Sequence, residues 1–304
     1  MEYIRFGGGQ DKVSIIGIGT WKMGRDRTAE TKAIRHALDL GINLIDTAEM
    51  YGTESLVGDT IKGYEREDLF ISTKVSPHHF HNDDVISACK RSLSRLGLKY
   101  IDLYYLHWPS KRIPTAETAR AMERLLDEGL IRHIGISNYE VNEAKDVQAA
   151  LDHSRIGAAQ DEYSVVVRAI EGGILDYCRR NRMEMLAYSP VVRGTLLDKK
   201  YAPLLGKLSD IGEGYGKTPV QVALNWLMCK GTIPIPKASS AAHVEEDAEA
   251  AAFRLSKRHV DEIDTVSDKY QKRQLGGAAR GLLKHSSIWS RLMTKANERP
   301  AAKH

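Results

Sequence analysis

The sequence predicts an α/β fold, a (β/α)8 TIM barrel with an N-terminal β-hairpin plug and a C-terminal extension. Two observations carry this expectation. Short apolar runs rich in Ile, Val, Leu and Tyr alternate with longer segments of helical period. Eight such runs fall within roughly 230 residues, which is the arithmetic of a (β/α)8 barrel. A third observation removes the main rival. A doubly wound sheet often carries GxGxxG after its first strand. In "GIGTWKMG" the position that should hold the third glycine is Lys22, and the chain has no phosphate-binding P-loop motif.

The eight runs are, in order, "VSIIGIG", "INLID", "DLFISTKV", "YIDLYYLHW", "IRHIGIS", "IGAAQDEY", "MEMLAYSP" and "TIPIPK". Before the first, "MEYIRFGGGQDKV" holds two strand-like pieces around a glycine cluster, which suits a hairpin under the barrel. After the first run, "TAETKAIRHALDLG" reads as a helix. Thr28 is its expected N-cap, Ala33, Ile34, Ala37 and Leu38 form its apolar stripe, and Gly41 is its stop. "NDDVISACKRSLSRLG" repeats the scheme, with Asn82 as cap, acids in the first turn and Gly97 as stop. The segment from Val191 to Lys217 is long for a loop, and long loops in compact folds are often functional.

The 304 residues are 42% hydrophobic and 28% charged, an ordinary composition for a water-soluble globular chain. There is no run of 18 apolar residues and no signal-peptide core at the N-terminus, so a cytoplasmic setting is expected. Cys89, Cys178 and Cys229 are far apart and odd in number, which fits neither a disulfide frame nor a zinc site. The net charge is +4, yet from Arg280 onward there are six Lys or Arg and one acid, Glu298. The body is close to neutral, so no nucleic-acid partner is expected.

In a barrel, chemistry sits at the C-terminal ends of strands. The second run ends at Asp46 with Tyr51 behind it, the third at Lys74 and the fourth at His107. The fifth ends at Ser137 and Asn138, the sixth at Gln160, Asp161 and Glu162, the seventh at Tyr188 and Ser189, the eighth at Lys237. A buried Lys needs a counter-charge, which Asp46 can supply. A neighbouring Lys⁺ is expected to lower the pKa of a Tyr, so that its phenol acts as a general acid near neutral pH. His107 can donate a hydrogen bond to a substrate oxygen. This set suits polarising a carbonyl while another group delivers an electron pair.

These pieces resemble the aldo-keto reductase family from about Tyr3 to Lys272. The similarity rests on "GIGTWKMG", "NLIDTAEMYG", "LFISTKV", "DLYYLHWP", "IRHIGISN", "AAQDEYS", "MLAYSPVVRGTL" and "IPIPKAS" in that order. The resemblance implies a catalytic tetrad of Asp46, Tyr51, Lys74 and His107. It also implies NADP(H) lying across the barrel mouth, which explains the missing glycine motif. Gly19, Thr20 and Asp46 border that cofactor site, and Ser137, Asn138 and Gln160 match positions that hold the carboxamide. Tyr188 matches the residue that stacks on the nicotinamide. The segment from Ser189 to Leu197, with Pro190, Val191, Gly194 and Thr195, matches the loop over the pyrophosphate. "PKAS", from Pro236 to Ser239 with Lys237 and Ala238, matches the 2′-phosphate site. His243 stands where many relatives have an Arg, and an imidazole cannot bind a phosphate bidentately. Glu246 and Asp247 stand where Glu-Asn often meets the adenine. A modest preference for NADP(H) over NAD(H) is therefore expected.

The expected function is reversible NADPH-dependent reduction of an aldehyde or ketone, in a pocket lined by Trp21, Tyr51, His107 and Trp108. The alternatives are a cofactor-binding regulatory subunit with slow turnover and a barrel hydrolase using Asp161 and Glu162. His78, His79 and His81 cluster after Lys74, but the mechanism needs no metal, so a polar loop is expected there. "SKRIP" after the fourth run hints at polar or anionic substrates. The barrel is placed at 1–272 and a basic extension at 273–304. In that extension Leu282, Leu283, Trp289, Leu292 and Met293 alternate with basic residues, as expected of a cover over the active site or a homo-oligomer interface; membrane binding is not expected.

Overall fold

The computed structural model describes residues 1–271. Eight parallel strands pair in the order β10-β9-β8-β7-β6-β5-β4-β3, and an antiparallel hairpin, β1 (Tyr3–Arg5) with β2 (Lys12–Ser14), stands apart. The barrel strands are β3 (Gly17–Gly19), β4 (Leu44–Asp46), β5 (Phe70–Val75), β6 (Ile101–Leu106), β7 (Ile131–Ser137), β8 (Ile156–Glu162), β9 (Glu184–Tyr188) and β10 (Ile233–Ile235). Each lies inside its predicted run. The two edges meet where the Gly19 N–H donates to Pro236 O at 2.8 Å. A Cβ on Gly19 would sit 3.0 Å from Ile235 O, so the closure needs a glycine there.

The run "VSIIGIG" is two strands, not one. Ser14 ends β2 because its N–H donates to Asn43 Oδ1 at 2.8 Å and its hydroxyl donates to Ile16 O at 2.7 Å. The chain then re-enters the barrel as β3. The hairpin plugs the lower face as expected. Phe6 is buried beneath Leu44, Phe70, Leu103 and Leu186, which point into the barrel. Tyr105 fills the layer near the mouth. Gly135 is its register partner on the adjacent strand β7, and a Cβ there would lie 2.4 Å from the Tyr105 ring, so that position must be bare.

The helices are α1 (Arg27–Asp39), α2 (Glu54–Thr60), α3 (Asn82–Leu96), α4 (Thr115–Asp127), α5 (Val141–Ala150), α6 (Ile174–Asn181), α7 (Ala202–Tyr215), α8 (Pro219–Cys229), α9 (Ala241–Glu249) and α10 (Lys257–Gln271). They bury a second core against the outside of the strands, with Ile34, Val85, Leu125 and Trp226 among its members. Two caps differ from expectation. Asp26, not Thr28, caps α1, its carboxylate accepting from Ala29 N. α3 is preceded by His81 in extended conformation, and the Asn82 N–H donates to Glu117 Oε1 instead. Gly41 and Gly97 do end their helices with positive φ, 86° and 68°. The stretch 191–217 is not a bare loop: α7 occupies 14 residues of it, burying Leu204, Leu208 and Ile211 at helical spacing. Among the described residues no helix is long and apolar enough to cross a membrane. The basic tail and its predicted roles lie outside the described residues.

Candidate active site

The predicted set converges at the upper mouth of the barrel. Asp46 ends β4 and is 2% exposed, while Lys74, on β5, is fully buried. Lys74 Nζ donates to Asp46 Oδ2 at 2.6 Å and to Thr47 O at 2.8 Å. Asp46 Oδ1 accepts from Ser72 Oγ at 2.7 Å and Gln160 Nε2 at 2.8 Å. The carboxylate is thus fully engaged, which a buried ion pair requires. Desolvation still pulls Lys74 below its ordinary value, against the opposing charge of Asp46.

Tyr51 closes a short 3-10 turn, Glu49–Tyr51, and Gly52 follows at φ 70°. That left-handed turn is what the glycine after the tyrosine provides. The half-buried Tyr51 ring lies 4.9 Å from Lys74 Nζ and 5.6 Å from the His107 ring, edge to face. The expectation that Lys74 lowers the Tyr51 pKa is not met. Burial raises it well above 10, and the Asp46 charge behind Lys74 raises it further. The phenol therefore keeps its proton throughout the neutral range.

Burial, reinforced by Lys74⁺, drives His107 well below 6.5, so the imidazole is neutral. Its Nδ1 is buried with no hydrogen-bond partner among the described residues. A buried orphan N–H is rarer than an orphan acceptor, so the proton belongs on Nε2, which is left to serve the cavity as a donor.

Above this set opens a cavity of about 530 Å³. Its wall contains Gly19, Trp21, Asp46, Tyr51, His107, Trp108, Ser137, Asn138, Gln160 and Tyr188. It continues along Ser189, Pro190, Val191 and Gly194 to Lys237, Ser239, His243, Glu246 and Asp247. Most of the predicted cofactor and substrate residues therefore share one surface. Three do not reach it. Thr20 and Ala238 are buried behind the wall, and the Thr195 hydroxyl turns back to Val192 O at 2.8 Å. Conversely, Lys22 and Val220 line the cavity without having been singled out, and Arg193 does so from within the predicted loop. Lys22 lies beside Trp21 in "GTWKMG", and a cation there was the available signal.

Local backbone explains the precision of the wall. Asn138 adopts φ 65°, which lets Nδ2 donate to His107 O at 3.1 Å while Oδ1 accepts from Tyr188 OH at 2.8 Å. Asn tolerates that region better than other side chains. Ser189, Val192 and Arg193 are also left-handed, at φ 53°, 55° and 56°. For a β-branched residue this is unusual, and such outliers gather at ligand sites.

The rival site residues do not assemble. Asp161 Oδ1 accepts the Glu162 N–H at 2.8 Å, Glu162 faces Arg193 at 3.6 Å, and neither lines the cavity. His79 pairs with Glu49 and His81 with Glu117. Among the described residues no group of three or more His, Cys, Asp or Glu is placed to hold a metal ion.

The family model described as "Aldo/keto reductase family" matches residues 15–268. The methylglyoxal reductase YeaE of Escherichia coli is 34% identical over 263 residues, covering 84% of this chain and 92% of that protein. A glyoxal reductase of Bacillus subtilis is 34% identical over 254 residues, covering 83% and 88%. The crystal structure of an aldo-keto reductase from Klebsiella pneumoniae in complex with NADPH superposes with a TM-score of 0.80 at 34% identity, covering 88% of this chain and 95% of that one.

Proposed function

The chain belongs to the aldo/keto reductase family, and on that premise we propose that it reduces small aldehydes and ketones with Tyr51 as the proton donor. It is an oxidoreductase that uses NADP(H). The cavity wall fits that cofactor: it includes the Tyr51 and His107 pair together with Lys237, Ser239 and His243, and the cations Lys22 and Arg193 share it. Cations along such a groove suit phosphate groups. Bound NADPH supplies a hydride to the carbonyl carbon.

The protein's own groups do the rest. His107 Nε2–H holds the carbonyl oxygen and polarises the bond. Tyr51 O–H gives its proton to that oxygen as negative charge develops. Lys74⁺ steadies the resulting phenolate, and Asp46 keeps Lys74 charged and in place. Solvent then returns a proton to Tyr51. Trp21, Trp108 and Leu197 make the apolar part of the wall near the substrate. The 2.6 Å Lys74–Asp46 pair beneath the Tyr51 and His107 rings is the observation that carries this reading.

The relatives named above are reductases, which favours turnover over a purely regulatory role. The test is a fluorescence titration with NADPH and with NADH, followed by NADPH oxidation in the presence of methylglyoxal and glyoxal. Saturable quenching, tighter for NADPH, with carbonyl-dependent oxidation is expected. No response to either nucleotide from folded protein overturns the proposal.

A further inference from the structure

We propose that Thr53 is a positioning residue for Tyr51, acting through a directed chain of three buried threonine hydroxyls. The proposal rests on the reading of Tyr51 as proton donor. Thr53 is 1% exposed, and its Oγ1 lies 2.9 Å from both Thr20 Oγ1 and Thr47 Oγ1. Thr20 and Thr47 are fully buried. Thr20 Oγ1 also lies 3.0 Å from the backbone oxygen of Asp46.

The last contact fixes the direction of all three bonds. A carbonyl has no proton to give, and each hydroxyl has one. Thr20 must therefore donate to Asp46 O and accept from Thr53. The Thr53 proton is then spent, so Thr53 must accept from Thr47. The result is a single polarised chain, Thr47 to Thr53 to Thr20 to Asp46 O, with no hydroxyl left unmatched.

The chain's place in the fold gives it a task. Thr47 and Thr53 bracket the segment that carries Tyr51, and Thr20 follows β3. The hydroxyls therefore bind both ends of the Tyr51 loop to each other and to a neighbouring strand end. The Thr47 carbonyl accepts from Lys74, and the Asp46 carboxylate is the partner of Lys74. The loop and the charge pair are thus held in one register. A further observation sets Thr53 apart from an ordinary helix cap. It occupies the N-cap position of α2, yet its side chain makes no capping bond. A Thr at that position usually caps its own helix; here the hydroxyl is turned to the barrel. Glu49 secures the outer side of the same loop by accepting from Ser76 N at 3.0 Å.

The experiment uses the full-length protein with Thr53→Val, which keeps the shape and removes the hydroxyl, and Thr53→Ser, which keeps the hydroxyl. Turnover with methylglyoxal, NADPH affinity by fluorescence, and the 19F resonance of Tyr51 in fluorotyrosine-labelled protein are measured. The Tyr51 signal is assigned by its loss in Tyr51→Phe. We expect Thr53→Val to lower kcat about tenfold to a hundredfold, since a misplacement of about 1 Å has that effect. The NADPH Kd should stay within about twofold by the same argument, because the loop alone moves. The Tyr51 resonance should shift or broaden in Thr53→Val, and Thr53→Ser should restore both signals. Wild-type kcat with an unmoved resonance in Thr53→Val overturns the proposal. So does equal impairment of Thr53→Ser, or a kcat loss accompanied by equal loss of NADPH affinity. If the wild type turns over no carbonyl, the functional reading fails, and the 19F comparison alone decides the role of Thr53.

Discussion

The two ends of this barrel each hold a buried carboxylate pinned by cations, and they use it differently. At the upper end, Asp46 meets Lys74 at 2.6 Å. At the lower end, Asp102 meets Arg66 at 2.5 Å and Arg132 at 3.6 Å. Below, the network is tied into the barrel floor and the hairpin. Arg66 and Arg132 stack on the Tyr100 ring at 3.9 and 4.0 Å. Arg132 and His133 grip Asp11 of the hairpin at 3.0 and 2.7 Å. Arg155 donates to Gly7 O at 2.6 Å, and Phe6 fills the space beneath the strands. Above, the same kind of ion pair supports a Tyr and a His that line an open cavity. Buried charge at one end fastens a plug, and at the other it supports groups that line a cavity. What separates them, among the described residues, is that the lower pair lies against the hairpin and the upper pair beneath a cavity.

That contrast can be broken by variants at either end. The largest stability effect is expected below. Phe6→Ala should remove about 3–5 kcal/mol, the range for a buried Phe. At roughly 2–4 °C per kcal/mol, the Tm should fall by roughly 10 °C. Because the plug lies at the far face from Tyr51, kcat per folded molecule should hold within about twofold. A large kcat loss without a fall in Tm would show that the ends are coupled.

A smaller effect is expected above. Asp247 lines the cavity, is 8% exposed, and has no side-chain hydrogen-bond partner among the described residues. Burial, helped by Glu246, pushes its pKa up from 3.8 to about 8. A native pKa above the unfolded value means that its contribution to stability is full below pH 3.8 and is lost as pH rises toward about 8. Asp247→Asn has nothing to titrate. Its Tm advantage over the wild type should therefore widen from pH 5 to pH 8 and then level off, at a slope no steeper than about 1.4 kcal/mol per pH unit. A gap that is constant with pH would show that the carboxyl is ionised in the native state.

Much of the upper end was legible in the sequence because strand ends are local signals. Asp46, Lys74 and His107 each end an apolar run or lie within two residues of its end, and Gly52 marks the turn at Tyr51. The lower plug was legible from the glycine cluster after Phe6. What stayed hidden depends on tertiary contacts or on burial. The division of "VSIIGIG" into two strands depends on Asn43, which is distant in sequence. The helix α7 was masked by Gly206, Gly212 and Gly214, although Gly212 is required: a Cβ there would lie 2.3 Å from Lys217 O. Gln160 reaches the cavity, yet its amide is committed to Asp46, a partner that strand-end position does not reveal. The Tyr51 pKa moved opposite to expectation because the sequence shows the neighbouring Lys but not how far the phenol is desolvated.

The assignment of Tyr51 as proton donor stands or falls on the kcat of Tyr51→Phe with NADPH and methylglyoxal, beside the NADPH Kd of the same protein. A kcat lower by about a hundredfold to ten-thousandfold, the usual contribution of a positioned acid, is expected, with the Kd unchanged within about twofold. Wild-type turnover in Tyr51→Phe, with NADPH still bound, would contradict it and move the acid to another group on the cavity wall.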